Sequence, residues 1–401
     1  MFAMVGCNFL GNDVTETSEV DYENYDNIST IEDLKNMSMY QSYQLVNDID
    51  LQGQEWTPIG SFESPFRGHF NGNGYTISNF TITESHTGYY GLFGYLEGDV
   101  EELNIRDFTI DIEDNFMISV GGLAGVSYGS IVNVSVEGDI LVQSDAGNVY
   151  VGLLTGQALS NLQTVIKAGE FVPNEIYDNR VSGSINLNST QIDYVGGLVG
   201  KTHNVRVYNN LIHPVSIQAQ TYNTTYIGGV IGHQFLYDFE TIDDSLSIDK
   251  TLIYQNIVHL SVIADLEDHM ILGGIVGYNQ NTIVSDNFAF LMYDVKANQM
   301  DIGLVLGENW LGHASNNLTH LQTVLSPLNA DDIQTICGLN QTQEATFSGF
   351  YSNATMLDLG DEAELIAESA LLDDEFYQSN YDHLDSDFIR SVQTFYSSSL
   401  E

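Results

Sequence analysis

Positive charge is what this chain most conspicuously lacks: its 401 residues carry 10 Lys and Arg against 55 Asp and Glu, for a formal net charge of −45. The acidic share is close to that of an ordinary soluble protein, so the imbalance arises from missing cations more than from added carboxylates. Such a field argues against nucleic acid or anionic lipid as partners and opposes acidic polysaccharide. It suits a soluble surface, a high-salt habitat or weak calcium binding, with no other cofactor expected. Cysteine is scarce as well. Cys7 and Cys337 stand at opposite ends, which excludes a disulfide framework and a Cys-rich metal site. No run of about 20 apolar residues is present, so no segment reads as a membrane-spanning helix. A His-Glu-x-x-His zinc motif is absent too. Against these absences stand 23 Tyr, 19 Phe and a 43% apolar share, enough for a continuous core.

A glycine-rich hexamer organises that apolar content. Val195-Gly196-Gly197-Leu198-Val199-Gly200 recurs as near-copies whose closing glycines are Gly94, Gly125, Gly156, Gly200, Gly232, Gly277 and Gly307, at intervals of 31, 31, 44, 32, 45 and 30 residues. A period of this size marks a stacked repeat architecture, hence one elongated domain in place of two or three globular ones. The fourth position of the hexamer is aliphatic in every copy (Leu92, Leu123, Leu154, Leu198, Val230, Ile275, Val305), so it is expected to point into the core. The invariant closing glycine fits a sharp turn with positive φ or a close approach of stacked backbones. An Asn also recurs in each interval, as Asn104, Asn133, Asn179, Asn210, Asn256, Asn287 and Asn317. All but Asn179 precede an apolar residue, and the set is expected to stack as a ladder of hydrogen-bonded amides.

The ends read differently. Residues 1–27 hold a small-residue stretch before Cys7 that resembles the end of a bacterial lipoprotein signal, with Cys7 as the acylated residue, followed by an acidic tether. Residues 28–83 read as an N-terminal cap and first coils. Ser29-Thr30-Ile31-Glu32 is a capping-box pattern that predicts a helix through Leu34 to about Met37. Tyr43–Leu51 and Thr76–Ile82 read as strands, and two Asn-Gly turn signals precede the second. Residues 84–327 hold the repeats. Residues 328–401 are assigned to a last coil and a C-terminal cap, with helical spacing over Glu362–Leu372.

The ordered series YQLVNDIDL, EWTPIG, FRGHFNGNGYTISNFTI, GLFG and repeated GGLVG resembles the bacterial GLUG-repeat surface proteins over about residues 28 to 320. This chain departs from their pattern at Asn71, where Asp is usual, and at Leu153 and Leu304, which replace the second glycine. The resemblance implies an all-β fold, a right-handed parallel β-helix (β-solenoid) with short helical caps, on extracellular or surface-attached proteins that are often adhesins.

Two insertions, from Gln157 to about Asp178 and from His233 to about Gln255, fall between a closing glycine and its Asn. They are expected to leave one edge of the rod two coils apart, about 10 Å. The second holds Phe235, Tyr237 and Phe239 alternating, with Asp238 and Asp243 nearby, a candidate patch for a glycan or a surface or matrix protein. Catalytic signals are weak. Gly125-Val126-Ser127-Tyr128-Gly129 matches a nucleophile elbow, but strand-like residues follow where a helix is needed. Gly200-Lys201-Thr202 lacks the upstream glycine of a phosphate loop, since residue 195 is Val. The pairs Asp48 with Asp50 and Asp111 with Glu113 could serve a glycosidase but fit solvated strand faces better. A polysaccharide lyase would need cations that the chain lacks. The sequence therefore reads as a non-enzymatic, cell-surface β-solenoid presenting a binding edge for adhesion or envelope scaffolding, reaching the membrane only through a lipid anchor. A β-helical hydrolase of neutral glycans is the alternative.

Overall fold

The computed structural model describes residues 21–84, 88–160, 166–167, 170–237, 248–324, 333–334, 337–341, 347–352, 364–366 and 368–399. Cys7 lies outside them. The chain winds into a parallel β-helix. One lap from its middle runs through Asp193–Gly196, Val199–His203, Val205–Tyr208 and Leu211–Thr221. These pair in parallel with Thr225–Gly228, Ile231–Phe235, Thr251–Tyr254 and Ile257–Leu266 of the next. The first strand of each lap belongs to a leading sheet and the second to a trailing sheet, of eight strands each; the other two build a larger long face. Among the described residues, the one antiparallel pairing is a hairpin, Ile166–Lys167 with Glu170–Phe171, inside the first insertion.

Alternation along the long strands sends every second residue inward, where β-branched side chains fit the pleat. Ile82, Ile110, Ile140, Ile185, Ile217 and Val262 are register partners in successive laps and are all fully buried. Each such burial contributes about 1.5–3 kcal/mol, so the core is a set of aliphatic columns running up the rod. The fourth hexamer residues are buried as expected, and those at the fifth position, from Phe93 to Leu306, are buried too.

The seven closing glycines line up. Their flanking residues pair lap to lap, Ala124 with Phe93 and Thr155, Val199 with Thr155 and Ile231, Val276 with Ile231 and Leu306. The turn expected at these glycines is not there. None has a positive φ, and each lies within a strand of the trailing sheet. Close approach is the reason for glycine: a Cβ on Gly200 would come within 2.5 Å of Val151 N, 2.7 Å of Gly156 O and 2.9 Å of Tyr194 O. Leading and trailing strands cross backbone against backbone at this corner, and a Cβ would pry them apart. The left-handed conformation appears instead at the corner before each long strand, at Glu102, Asn133, Asp178, Asn209, Gln255, Asp286 and Asn316, with φ between 52° and 58°. Mostly Asn and Asp fill it, the side chains that tolerate this region best after glycine. In the first copy Tyr90, not Tyr89, pairs with Val120, so that corner is one residue shorter. The column also runs on past the hexamers: Leu306 pairs with Cys337 and Glu308 with Leu339, which puts Gly338 beside Gly307.

Five of the seven recurring asparagines form the ladder. Asn179, Asn210, Asn256, Asn287 and Asn317 are at most 1% exposed. Each Nδ2 of the first four donates to the next Oδ1 at 2.9 Å. The backbone N–H of the same four donates to that oxygen at 3.0–3.1 Å. Asn104 and Asn133 are not members. The register sets Leu103 and Val134 at the ladder position, leaving Asn133 in the left-handed place and Asn104 one residue into the long strand. Asn179, the one followed by a charged residue, does belong.

At the N-terminal end, helix α1 (Ile31–Lys35) places Leu34 in the core. Its capping box is Thr30 with Asp33, one residue later than Ser29 with Glu32, and the helix stops before Met37. The expected strand Tyr43–Leu51 is two strands, Gln41–Leu45 and Ile49–Glu55, whereas Thr76–Ile82 is as expected. At the C-terminal end the expected helix over Glu362–Leu372 is replaced by a strand, Glu364–Ile366, and a 3₁₀ turn, Glu368–Leu372. Helices α2 (Asp374–Asn380) and α3 (Ser386–Ser399) follow. They clad the flank of the rod. Tyr377, Tyr381, Phe395 and Tyr396 pack on Ile257, Phe288, Phe290 and Leu318, outward residues of successive laps. An outer face this apolar demands cover, and that demand places the helices on the side instead of over the open end.

Among the described residues, one inward position of the leading sheet carries a carboxyl. Asp193 is fully buried, its Oδ1 has no partner, and burial pushes its carboxyl up to about 7. Because the folded value exceeds the unfolded 3.8, its contribution to stability falls as pH rises from about 4 to about 7.

Three stability outcomes follow from these columns. Gly200→Ala is expected to cost about 1–3 kcal/mol in urea unfolding, because backbone rather than a side-chain tip must yield; a neutral result would contradict the corner geometry. Asn256→Ala leaves the buried Asn210 N–H without its acceptor, removes one of three from Asn210 Nδ2 and should cost roughly 3 kcal/mol, against little for Asn104→Ala. Asp193→Asn should melt like the wild type below pH 4 and higher than it above pH 7.5, and equal melting at both pH values would exclude a buried, protonated Asp193.

Candidate functional site

The glycine corner bends the two short sheets toward each other on their outer sides, so outward side chains of both line a groove running up the rod. Tyr150, Tyr194 and Tyr226 are outward register partners of the leading sheet. Their rings stack, Tyr150 on Tyr194 at 5.1 Å and 5°, Tyr194 on Tyr226 at 5.2 Å and 8°. Facing them from the trailing sheet is the column Gln157, Lys201, His233, Tyr278 and Glu308. Contacts cross the corner: Tyr194 to His233 at 5.2 Å, Tyr226 to Tyr278 at 5.7 Å, and Gln157 Nε2 to Ser119 Oγ at 3.3 Å. His233 in turn stacks on Tyr278 at 4.8 Å. In the first laps Tyr89, Tyr95 and Tyr128 continue the aromatic lining, with Tyr95 stacked on Tyr128 at 5.7 Å.

Burial sets the electrostatics. It pushes the phenols of Tyr194, Tyr226 and Tyr278 up to about 12, so they stay neutral donors. It lowers Lys201, and it holds His203 down at about 4 and His233 at about 3, each helped by the charge of Lys201. Two laps beyond His233 the pattern becomes acidic. Asp301 and Glu308 occupy the facing columns, and His269 binds Asp301 at 2.5 Å. Burial, then Asp301, raises the Glu308 carboxyl, which accepts a hydrogen bond from Gln341.

The residues singled out in the sequence fare unevenly. Both insertions leave the same edge two laps apart, since Leu159, His203 and Phe235 are register partners. They are shorter than expected, because Gln157–Leu159 and His233–Phe235 remain strand, as do Asn174–Tyr177 and Thr251–Tyr254. Phe235 is half-buried beside the groove, edge-on to His203 at 4.5 Å. Tyr237 packs against the core. Asp238, Phe239 and Asp243 lie outside the described residues. Ser127 of the elbow-like motif is an inward, fully buried strand residue whose Oγ donates to Gly129 O. Asp48 and Asp50 are engaged in lap-to-lap bonding, to Thr76 N at 2.8 Å and Asn79 Nδ2 at 2.9 Å. Asp111 and Glu113 are exposed on the long face. The tyrosine column escaped the sequence reading although a signal was there: Tyr150, Tyr194 and Tyr226 each stand immediately before an aliphatic-Gly pair.

A cavity of about 770 Å³ on the long face is lined by Leu141, Gln218, Ile263, Asp294 and Lys296. It holds no aromatic ring, and Lys296 is committed to an exposed pair with Asp265 at 3.2 Å. Among the described residues no three His, Cys, Asp or Glu side chains are grouped to hold a metal ion, and no helix is long and apolar enough to cross a membrane.

No protein-family model matches the chain. Over 103 residues, 24% of its length, it is 44% identical to a protein of Evansella cellulosilytica provisionally named a Gly-rich membrane protein. Over 129 residues, 29% of its length, it is 33% identical to the halomucin of Haloquadratum walsbyi. The matched segments amount to 12% and 1% of those relatives' lengths. Among solved structures, a Bacteroides ovatus chain provisionally described as an immunoglobulin A1 protease superposes at a TM-score of 0.36 and 12% identity, with 91% of each chain covered.

Proposed function

We propose that this chain is a non-enzymatic β-solenoid of the cell envelope, a GLUG-type surface module, whose aromatic groove holds a linear glycan. The observation that carries the reading is the tyrosine column Tyr150–Tyr194–Tyr226, whose ring spacing of 5.1–5.2 Å is fixed by the stacking of laps. Because the rings stack face on face, they present their edges and neutral hydroxyls to the groove, a row of hydrogen-bonding groups at one repeat that the hydroxyls of an extended sugar chain can meet. Lap spacing is comparable to the length of a hexose unit, so successive sugars meet equivalent surroundings. Envelope location is supported by the similarity to a relative named as a membrane protein. A lipid anchor at Cys7 would tether the rod.

A second reading, hydrolysis of a neutral glycan, draws on Asp301 and Glu308, which face each other across the groove with Glu308 biased toward the protonated form. Such a pair is what an acid and a carboxylate partner require.

The test is glycan binding by the full chain on an array of neutral oligosaccharides. Tyr194→Ala and Tyr226→Ala should each weaken binding about tenfold, the order of one lost hydrogen bond, with unchanged circular dichroism. Deletion of 238–247 should leave binding intact. Loss on that deletion with retention in both tyrosine variants would place the site on the insertion and overturn the groove; release of reducing ends that Glu308→Gln abolishes would establish the second reading.

A further inference from the structure

We propose that Lys201, His203 and His233 form a subsite for the anionic group, a carboxylate or a sulfate ester, of an acidic sugar within the glycan held by the groove. The inference rests on the reading of the groove as a glycan site and names the chemistry of one of its positions.

Lys201 differs from the other groove residues in sign and from the chain's paired or exposed cations in its surroundings, Lys35, Arg106 and Arg180 being exposed. Arg67, Arg206, Lys296 and Arg390 each pair with a carboxylate, at 2.7, 2.8, 3.2 and 3.2 Å. Lys201 Nζ lies over two rings, 5.5 Å from the centre of Tyr150 and 5.9 Å from that of Tyr194. Among the described residues it has no carboxylate within ion-pair distance. Its neighbours are themselves basic: His233 is its register partner in the next lap and His203 stands two residues on, on the same outer face. Both imidazoles present a buried nitrogen without a hydrogen-bond partner, Nε2 of His203 and Nδ1 of His233.

In a chain with a formal net charge of −45, a half-buried ammonium in the company of two unsatisfied imidazoles, with no acid at hand, is an anomaly. Placing it there costs desolvation that the ring faces offset only in part. A bound anion would offset the remainder. It would sit against the ammonium, beside neutral imidazoles that do not repel it, while hydroxyls of the sugar bearing it meet the phenol oxygens of the adjacent tyrosines. Glu308 stands three laps away on the trailing column, about 15 Å at one strand spacing per lap, with Asp301 facing it from the leading column, so the groove changes sign along its length. That polarity would fix which way round a glycan lies.

The experiment is calorimetric titration of the full chain with three β-1,4-linked glucose hexasaccharides: one neutral, one with a single residue oxidised to the 6-carboxylate, and one with a single 6-sulfate ester. At least one anionic ligand should bind about tenfold more tightly than the neutral one, the ratio between the two distinguishing carboxylate from sulfate. Lys201→Met should erase that preference, and Lys201→Arg should restore it. No preference for either anion in the wild type, or a preference that survives in Lys201→Met, overturns the subsite while the groove stands. Binding of neither neutral nor acidic ligand overturns the groove and the subsite together.

Discussion

The structure depends on one steric constraint: leading and trailing strands of every lap cross with their backbones in contact, and only a residue without a Cβ fits at the crossing. Gly200 shows it in three directions at once, against Val151 N in one lap, Gly156 O in the same column, and Tyr194 O in its own lap. From that contact follow the tight corner, the in-register pairing on either side of it, and the vertical alignment of everything attached. The aliphatic columns inside the rod and the asparagine ladder at the next corner are both consequences of laps that repeat without slipping. A one-residue slip would turn Ile185 or Ile217 outward and break every amide bond between Asn179 and Asn317, so register is enforced twice by different chemistry.

The same crossing makes the groove. A corner that folds the outer faces of two sheets toward each other brings side chains seven residues apart in sequence into contact, as Tyr226 and His233 are at 6.2 Å. Rings stacked by the lap repeat are thereby sheltered on their edges by a second column, which raises the phenols and suppresses the imidazoles by the same desolvation. The rod's negative charge lies elsewhere, on solvated strand faces and loops, while the groove is neutral in the middle, basic at Lys201 and acidic at Asp301 and Glu308. Fold and surface are linked here by geometry: glycine sets the angle, and the residue before the corner decides what the angle presents.

Much of the architecture was legible in the sequence because it is periodic. The closing glycines, the buried fourth position, the N-terminal helix with its cap and the shared edge of the two insertions all come from spacing. What was not legible came from positions where one residue type serves two geometries. Glycine can answer a positive φ or a close approach, and only coordinates separate them; here the first role passed to residues such as Asp178 and Asn209. Asparagine likewise serves as ladder rung or left-handed corner, which is why Asn133 fell into the wrong class and Asn179 looked like the exception. Gly338 was hidden because its lap lacks the hexamer around it. The flank position of α2 and α3 depends on outward Phe288 and Leu318, indistinguishable by alternation from the polar residues at equivalent places in other laps. The groove itself was hidden because period-two patterning says which face a tyrosine is on but not that two faces converge.

The central claim is that laps 30 to 46 residues apart are locked rung to rung, and side-chain amide exchange measures the rungs directly. In the folded chain, the Nδ2 protons of Asn210, Asn256 and Asn287, hydrogen-bonded on both sides and fully enclosed, should exchange with solvent orders of magnitude more slowly than those of exposed Asn115. Protection at all three, lost together on unfolding, is the result the stacked solenoid predicts. Exchange at the rate of a free side chain at any of them, in a protein otherwise folded, would mean that the ladder and the register it reports do not exist in solution.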